Sequence, residues 1–171
     1  MKLYKVVERI QGTGVFQEDN WRATVDIRGT KYKVGFVRGD RRVRIAYSAR
    51  WGWHWFANVR QAETGTEVYS GQVSKSTGLV WILEHAGLIP WRDRERQRVV
   101  NGLAYNRKEA AHWQQRVDEN KAAGVRTFGG VPSIADESVQ RHAEQVKVLE
   151  ANLKYDDELR KQFGLSEGVW P

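Results

Sequence analysis

Over the first 73 residues, apolar and polar positions alternate with a period of two. In 3–10, Leu3, Lys5, Val7 and Arg9 alternate with Tyr4, Val6, Glu8 and Ile10. In 21–28, Trp21, Ala23, Val25 and Ile27 take one side, and Arg22, Thr24, Asp26 and Arg28 the other. In 31–37, Tyr32, Val34 and Phe36 oppose Lys31, Lys33 and Gly35. In 42–50, Val43, Ile45, Tyr47 and Ala49 oppose Arg42, Arg44, Ser48 and Arg50. In 53–60, Trp53, Trp55, Ala57 and Val59 oppose His54, Phe56, Asn58 and Arg60, and a last strand covers 67–73. Breaks fall at Gly12-Thr13-Gly14, Gly29-Thr30, Gly39-Asp40 and Glu63-Thr64-Gly65-Thr66. Period two joined by short glycine turns predicts antiparallel hairpins in a meander.

After Val73 the period lengthens. Leu79, Val80, Ile82, Leu83 and Ala86 form a helical stripe, with Ser74 and Ser76 as candidate N-caps and Gly87 as the stop. A second helical region starts after Pro90 and ends at Gly124. Gly102 and the capping-box pattern Asn106-Arg107-Lys108-Glu109 divide it in two. Ser133 caps a third helix over about 134–153, with Val139, Ala143, Val146, Leu149 and Leu153 as its stripe. A short helix over about 156–163 ends at Gly164. The fold class is therefore α+β. An N-terminal antiparallel β-meander of five to six strands, a curled sheet or open barrel, is followed by three to four α-helices. Residues 1–90 hold the sheet and a covering helix, and 91–171 a helical region packed on it.

Charge changes the picture. The net charge is +7, and residues 20–60 hold 10 basic residues against 2 acidic ones. If each strand buries its apolar face, alternation gathers Arg22, Arg28, Lys31, Lys33, Arg42, Arg44, Arg50 and Arg60 on the other, with His54 and Phe56 among them and Asp26 as the acid. Such a face could be a solvated one that guards edge strands. Its single sign points instead to phosphates, with exposed rings stacking on bases.

The run Trp51 to Phe56 is the densest of a chain with eight Trp. The strand pattern claims Trp53 and Trp55 for the core and leaves Trp51 as a weaker candidate for partner docking. Arg92, Arg94, Arg96 and Arg98 interleave with acids, which suits local ion pairs; Arg92 and Arg96 are weak partner-binding candidates. The acidic, amphipathic 134–163 segment could dock on the basic face, pair in a homodimer or pack on its own core.

Several chemistries drop out. The absence of Cys removes disulfides, thiolate catalysis and cysteine-ligated zinc, and leans towards the cytoplasm. Ser74-Lys75-Ser76-Thr77 lacks the glycines of a phosphate loop, with Tyr69 and Ser74 in their places. His54, His85, His112 and His142 form no metal-ligand spacing, and Asp19, Asp26 and Asp40 share no catalytic pattern. There is no signal-peptide h-region and no membrane span. The expectation is a non-enzymatic protein without cofactor or metal, monomeric or homodimeric. It would bind DNA or RNA with low sequence specificity. The alternative is a protein-interaction module: an inhibitor, adaptor or assembly component of the kind a phage or mobile element encodes, docking on an acidic protein or nucleoprotein complex.

Overall fold

The computed structural model describes residues 3–12, 20–45, 48–124 and 133–165, with side chains outside 38–54. The chain divides into two compact units, Met1–Ile89 and Pro90–Pro171.

The first unit is an open antiparallel sheet of five strands in sequence order: β1 (Lys5–Gln11), β2 (Trp21–Ile27), β3 (Thr30–Ile45), β4 (Ser48–Gln61) and β5 (Glu67–Val73). The β2–β3 connection is a two-residue turn in which Arg28 (φ 54°) and Gly29 (φ 87°) both take left-handed conformations, the turn that matches strand twist. Asp26 Oδ1 accepts from Gly29 N at 2.8 Å and fixes it. Arg28 therefore belongs to the turn, not to the strand face on which alternation placed it.

The strands predicted at 31–37, 42–50 and 53–60 are two long strands. Backbone pairing runs straight through the expected turn, with Gly39 opposite His54 and Asp40 opposite Trp53. The last rung pairs Ile45 with Ser48, both within the predicted strand 42–50. Beyond Phe36 opposite Trp21 and Trp55 opposite Val73, β3 and β4 continue as a two-stranded ribbon.

One sheet face is buried as the alternation predicts. Trp21, Ala23, Val25, Ile27, Val34, Phe36, Trp55, Ala57 and Val59 are all at most 8% exposed. Across it Phe36 stacks between Trp21 (ring centroids 5.3 Å) and Trp55 (5.1 Å), and the Arg9 guanidinium caps the row 5.4 Å over Trp21. Helix α1 (Leu79–His85) touches β4 and buries Ile82 and Leu83. Its N-cap is Gly78; the Ser74, Ser76 and Thr77 hydroxyls bond one another in the preceding turn instead of capping it.

The second unit is two long helices, α2 (Asp93–Ala122) and α3 (Ile134–Gln162). The divisions predicted within each are absent. Arg107 meets Glu150 at 2.7 Å, Asn106 meets His142 at 2.8 Å and Arg160 meets Asp93 at 2.8 Å, so the helices run antiparallel. Buried and half-buried positions step by three and four, Arg96, Val99, Leu103, Asn106, Ala110, Trp113 and Val117 on α2 and Val139, His142, Val146, Leu149, Leu153, Asp156 and Arg160 on α3, with Ala135, Ser138 and Leu159 buried beside them. That is the spacing of a coiled-coil seam, with polar layers that fix register.

Ser133 caps α3 as predicted. Its hydroxyl donates to Asp136 Oδ2 at 2.7 Å and accepts from Asp136 N, and Oδ2 also accepts from Ser133 N at 3.2 Å; in this capping box the hydroxyl's hydrogen bond first, and the backbone's second, hold the Asp136 carboxyl below its usual range. Ser133→Ala is expected to destabilise the helical unit by about 1 kcal/mol, read from urea unfolding followed by circular dichroism. A depressed carboxyl stabilises above its unfolded pKa and loses that contribution as pH falls through the folded value, so the wild type's advantage shrinks on acidification.

Candidate nucleic-acid interface

The sheet face opposite the aromatic row is built by the register. One row across it reads Ile10, Arg22, Gly35, Asn58 and Ser70; the next reads Glu8, Thr24, Lys33, Arg60 and Glu67. Lys31 extends it one rung towards the β2–β3 turn, and Val37 and Phe56 form the rung towards the ribbon. The face is hollowed where these rows meet. A hollow of about 440 Å³ lies over it, with Arg22, Lys33, Arg60 and Glu8 among its lining and Gly35 and Asn58 opposite each other within it. A second hollow of about 330 Å³ shares Ile10, Arg22 and Val37 and leads towards Gly12 and Asn20.

Arg22, Lys31, Lys33 and Arg60 are exposed, and Phe56 is half-buried. Among the described residues no carboxylate pairs with Arg22, Lys31 or Lys33. Arg60 makes an exposed ion pair with Glu67 at 3.2 Å, a contact worth little in water and open to exchange for a phosphate. The face also carries Glu8 and Glu67 beside Asp26, so it is less one-sided than alternation suggested.

Register also moves two candidates. Because β3 is unbroken through Gly39-Asp40, Arg42 pairs with Trp51 and Arg44 with Ala49, in the register set of Phe36–Ala57 and the buried face. Arg50, paired with Val43, and His54, paired with Gly39, stay in the set of Lys33–Arg60. The side chains of Arg42, Arg44, Arg50, Trp51 and His54 lie outside the described residues. By sequence the ribbon segment 38–54 holds five Arg against Asp40.

The weaker candidates resolve otherwise. Arg96 is engaged within the helical unit by Asp156 and, at 2.7 Å, by Asp157. Arg92 is the half-buried N-cap residue of α2. His85 stacks on Trp81 at 3.5 Å between centroids and its Nδ1 donates to the Trp81 carbonyl at 3.0 Å. Among the described residues no three His, Asp or Glu side chains are grouped to hold a metal ion, and no helix is long and apolar enough to cross a membrane.

Alternation put Arg22, Lys31, Lys33, Arg60, Gly35 and Asn58 on this face, but did not single out Asn58 or Gly35 as site residues. Their signal was a glycine directly across a strand pair from an amide, visible only once the register is known. Compared with known proteins, the chain matches no family model, no curated protein and no solved structure.

Proposed function

We propose that this protein binds nucleic acid, without catalysis, through the concave face of its sheet. The observation that carries the reading is the hollow ringed by Arg22, Lys33 and Arg60, adjoining a ribbon segment rich in Arg. Cations fixed on strands, Arg22 and Lys33 without a carboxylate partner among the described residues and Arg60 in an exposed, exchangeable pair with Glu67, neutralise phosphates and release counterions, which favours binding without reading sequence. Phe56, on the same face, offers a ring to an unpaired base.

The test is charge reversal. Arg22→Glu with Lys33→Glu is expected to weaken binding to a short oligonucleotide by roughly tenfold or more at low salt. Arg94→Glu with Lys108→Glu, an equal charge change at exposed positions of α2, should have a much smaller effect. Equal losses in both variants would mean that net charge, not this face, drives association.

A protein-interaction role is the second reading. The helical unit favours it, because Tyr105, Val148 and Tyr155 remain 58%, 44% and 52% exposed.

A further inference from the structure

Register brings together on the β3–β4 ribbon residues that the sequence keeps apart. Beyond Trp55 opposite Val73, seven further rungs run from Gly39–His54 to Ile45–Ser48, a length of about 20 Å. Among the described residues no strand pairs with either edge of this stretch. A two-stranded ribbon is marginal in water on its own, so this one gains from a partner that covers a face.

The two faces differ. One register set reads Arg38–Trp55, Asp40–Trp53, Arg42–Trp51 and Arg44–Ala49. It continues the aromatic row of the sheet, in which Trp55 stacks on Phe36 at 5.1 Å. Trp53 and Trp51 follow on the same strand at steps of about 7 Å. An arginine stands directly across the strand pair from Trp55 and from Trp51. The other set has a glycine in each of its first two rungs, Gly39–His54 and Arg41–Gly52, so the bulk lies with the tryptophan set.

We infer that the tryptophan face of the ribbon is a stacking strip for a single-stranded segment of nucleic acid. Trp51 and Trp53 take the faces of unpaired bases, and Arg38, Arg42 and Arg44 neutralise the phosphates beside them. An unpaired strand offers a flat base face and a phosphate at every nucleotide, the two features this face alternates. A duplex stacks its base faces on one another and withholds them. A lipid surface takes elements whose apolar and cationic residues lie on opposite faces, whereas here both share one. The inference rests on the proposed nucleic-acid reading. It adds a second contact, on the other side of the strands from the hollow, and a preference for single strands.

The test compares a labelled dT strand with a duplex of the same length by fluorescence anisotropy, using the full chain. The wild type is expected to hold the single strand roughly tenfold or more tighter than the duplex. Trp51→Ala with Trp53→Ala should lose roughly tenfold or more of the single-strand affinity and keep the wild-type salt slope, because ring contacts release no counterions. Trp51→Phe with Trp53→Phe should retain most of the affinity, and Arg42→Ala with Arg44→Ala should flatten the salt slope by about 1. Circular dichroism confirms the fold of each variant. Salt-sensitive single-strand binding that the folded alanine pair leaves unchanged would overturn the strip and leave the nucleic-acid reading standing. So would a duplex held as tightly as the single strand. No binding to either at low salt would overturn both, and capture by anionic phosphatidylserine vesicles in that case would assign the face to a lipid surface.

Discussion

Phe36→Ala is expected to cost the sheet unit about 3–5 kcal/mol, with urea unfolding followed by tryptophan fluorescence as the measurement. Phe36 is 2% exposed and is the middle ring of the stack, so truncation opens a cavity between Trp21 and Trp55 and removes both ring contacts. Backbone pairing holds the strands around it and limits collapse into the space. Phe36→Leu keeps most of the volume and should cost clearly less. The consequence reaches the binding face, because Gly35 and Val37 flank Phe36 on β3 and line the hollow on the opposite side. A loss under about 1 kcal/mol would mean that the aromatic row is not the sheet's core.

Asp156→Ala is expected to destabilise the helical unit by about 3 kcal/mol. The Asp156 side chain is 3% exposed, and Oδ1 accepts from Trp91 N at 2.7 Å while Oδ2 accepts from Arg160 Nε at 3.1 Å and from Arg96. Its removal leaves Arg160, 11% exposed, with Asp93 and the Trp91 carbonyl, and frees Arg96 to rely on the exposed Asp157. Burial alone would pull the Arg160 pKa down, but Asp93 and Asp156 outweigh it and hold it above its ordinary value. A raised pKa stabilises below the unfolded value and loses that contribution only above it, so the Arg160 side of this cluster does not titrate near neutrality. Asp156→Asn retains one of the two acceptor oxygens and no charge, and should fall between alanine and wild type in thermal unfolding. Indistinguishable midpoints for all three proteins would contradict this account of how α3 is locked to the start of α2.

Strand identity and the buried face were legible from alternation, because Trp21 to Ile27 and Trp55 to Val59 each bury every second residue. The long hairpin was not. Gly39-Asp40 is a strong local turn signal, yet pairing with His54 and Trp53 across the ribbon overrides it, and that pairing is a property of two segments, not of one. The same holds for the helices. Asn106 looks like a cap, but its amide donates to the Gly102 carbonyl at 2.8 Å and its oxygen meets His142 on α3. The segment over about 156–163 reads as a short separate helix, but Asp156 is held by groups 60 and 65 positions away, at Arg96 and Trp91. Polar residues at seam positions hid the three-and-four spacing from a search for apolar stripes. The cations of the candidate face were legible because exposure follows alternation. The amide over Gly35 was not, because it needs β3 and β4 placed side by side.

The most direct measurement is the salt dependence of binding to a short single strand, by fluorescence anisotropy with nuclease-treated protein between about 50 and 200 mM salt. Three neutralised phosphates predict micromolar or tighter affinity at the lower salt, and a log–log slope of about −2 or steeper. An affinity that does not change with salt, or no binding at the lower salt, would contradict a nucleic-acid role for the sheet face.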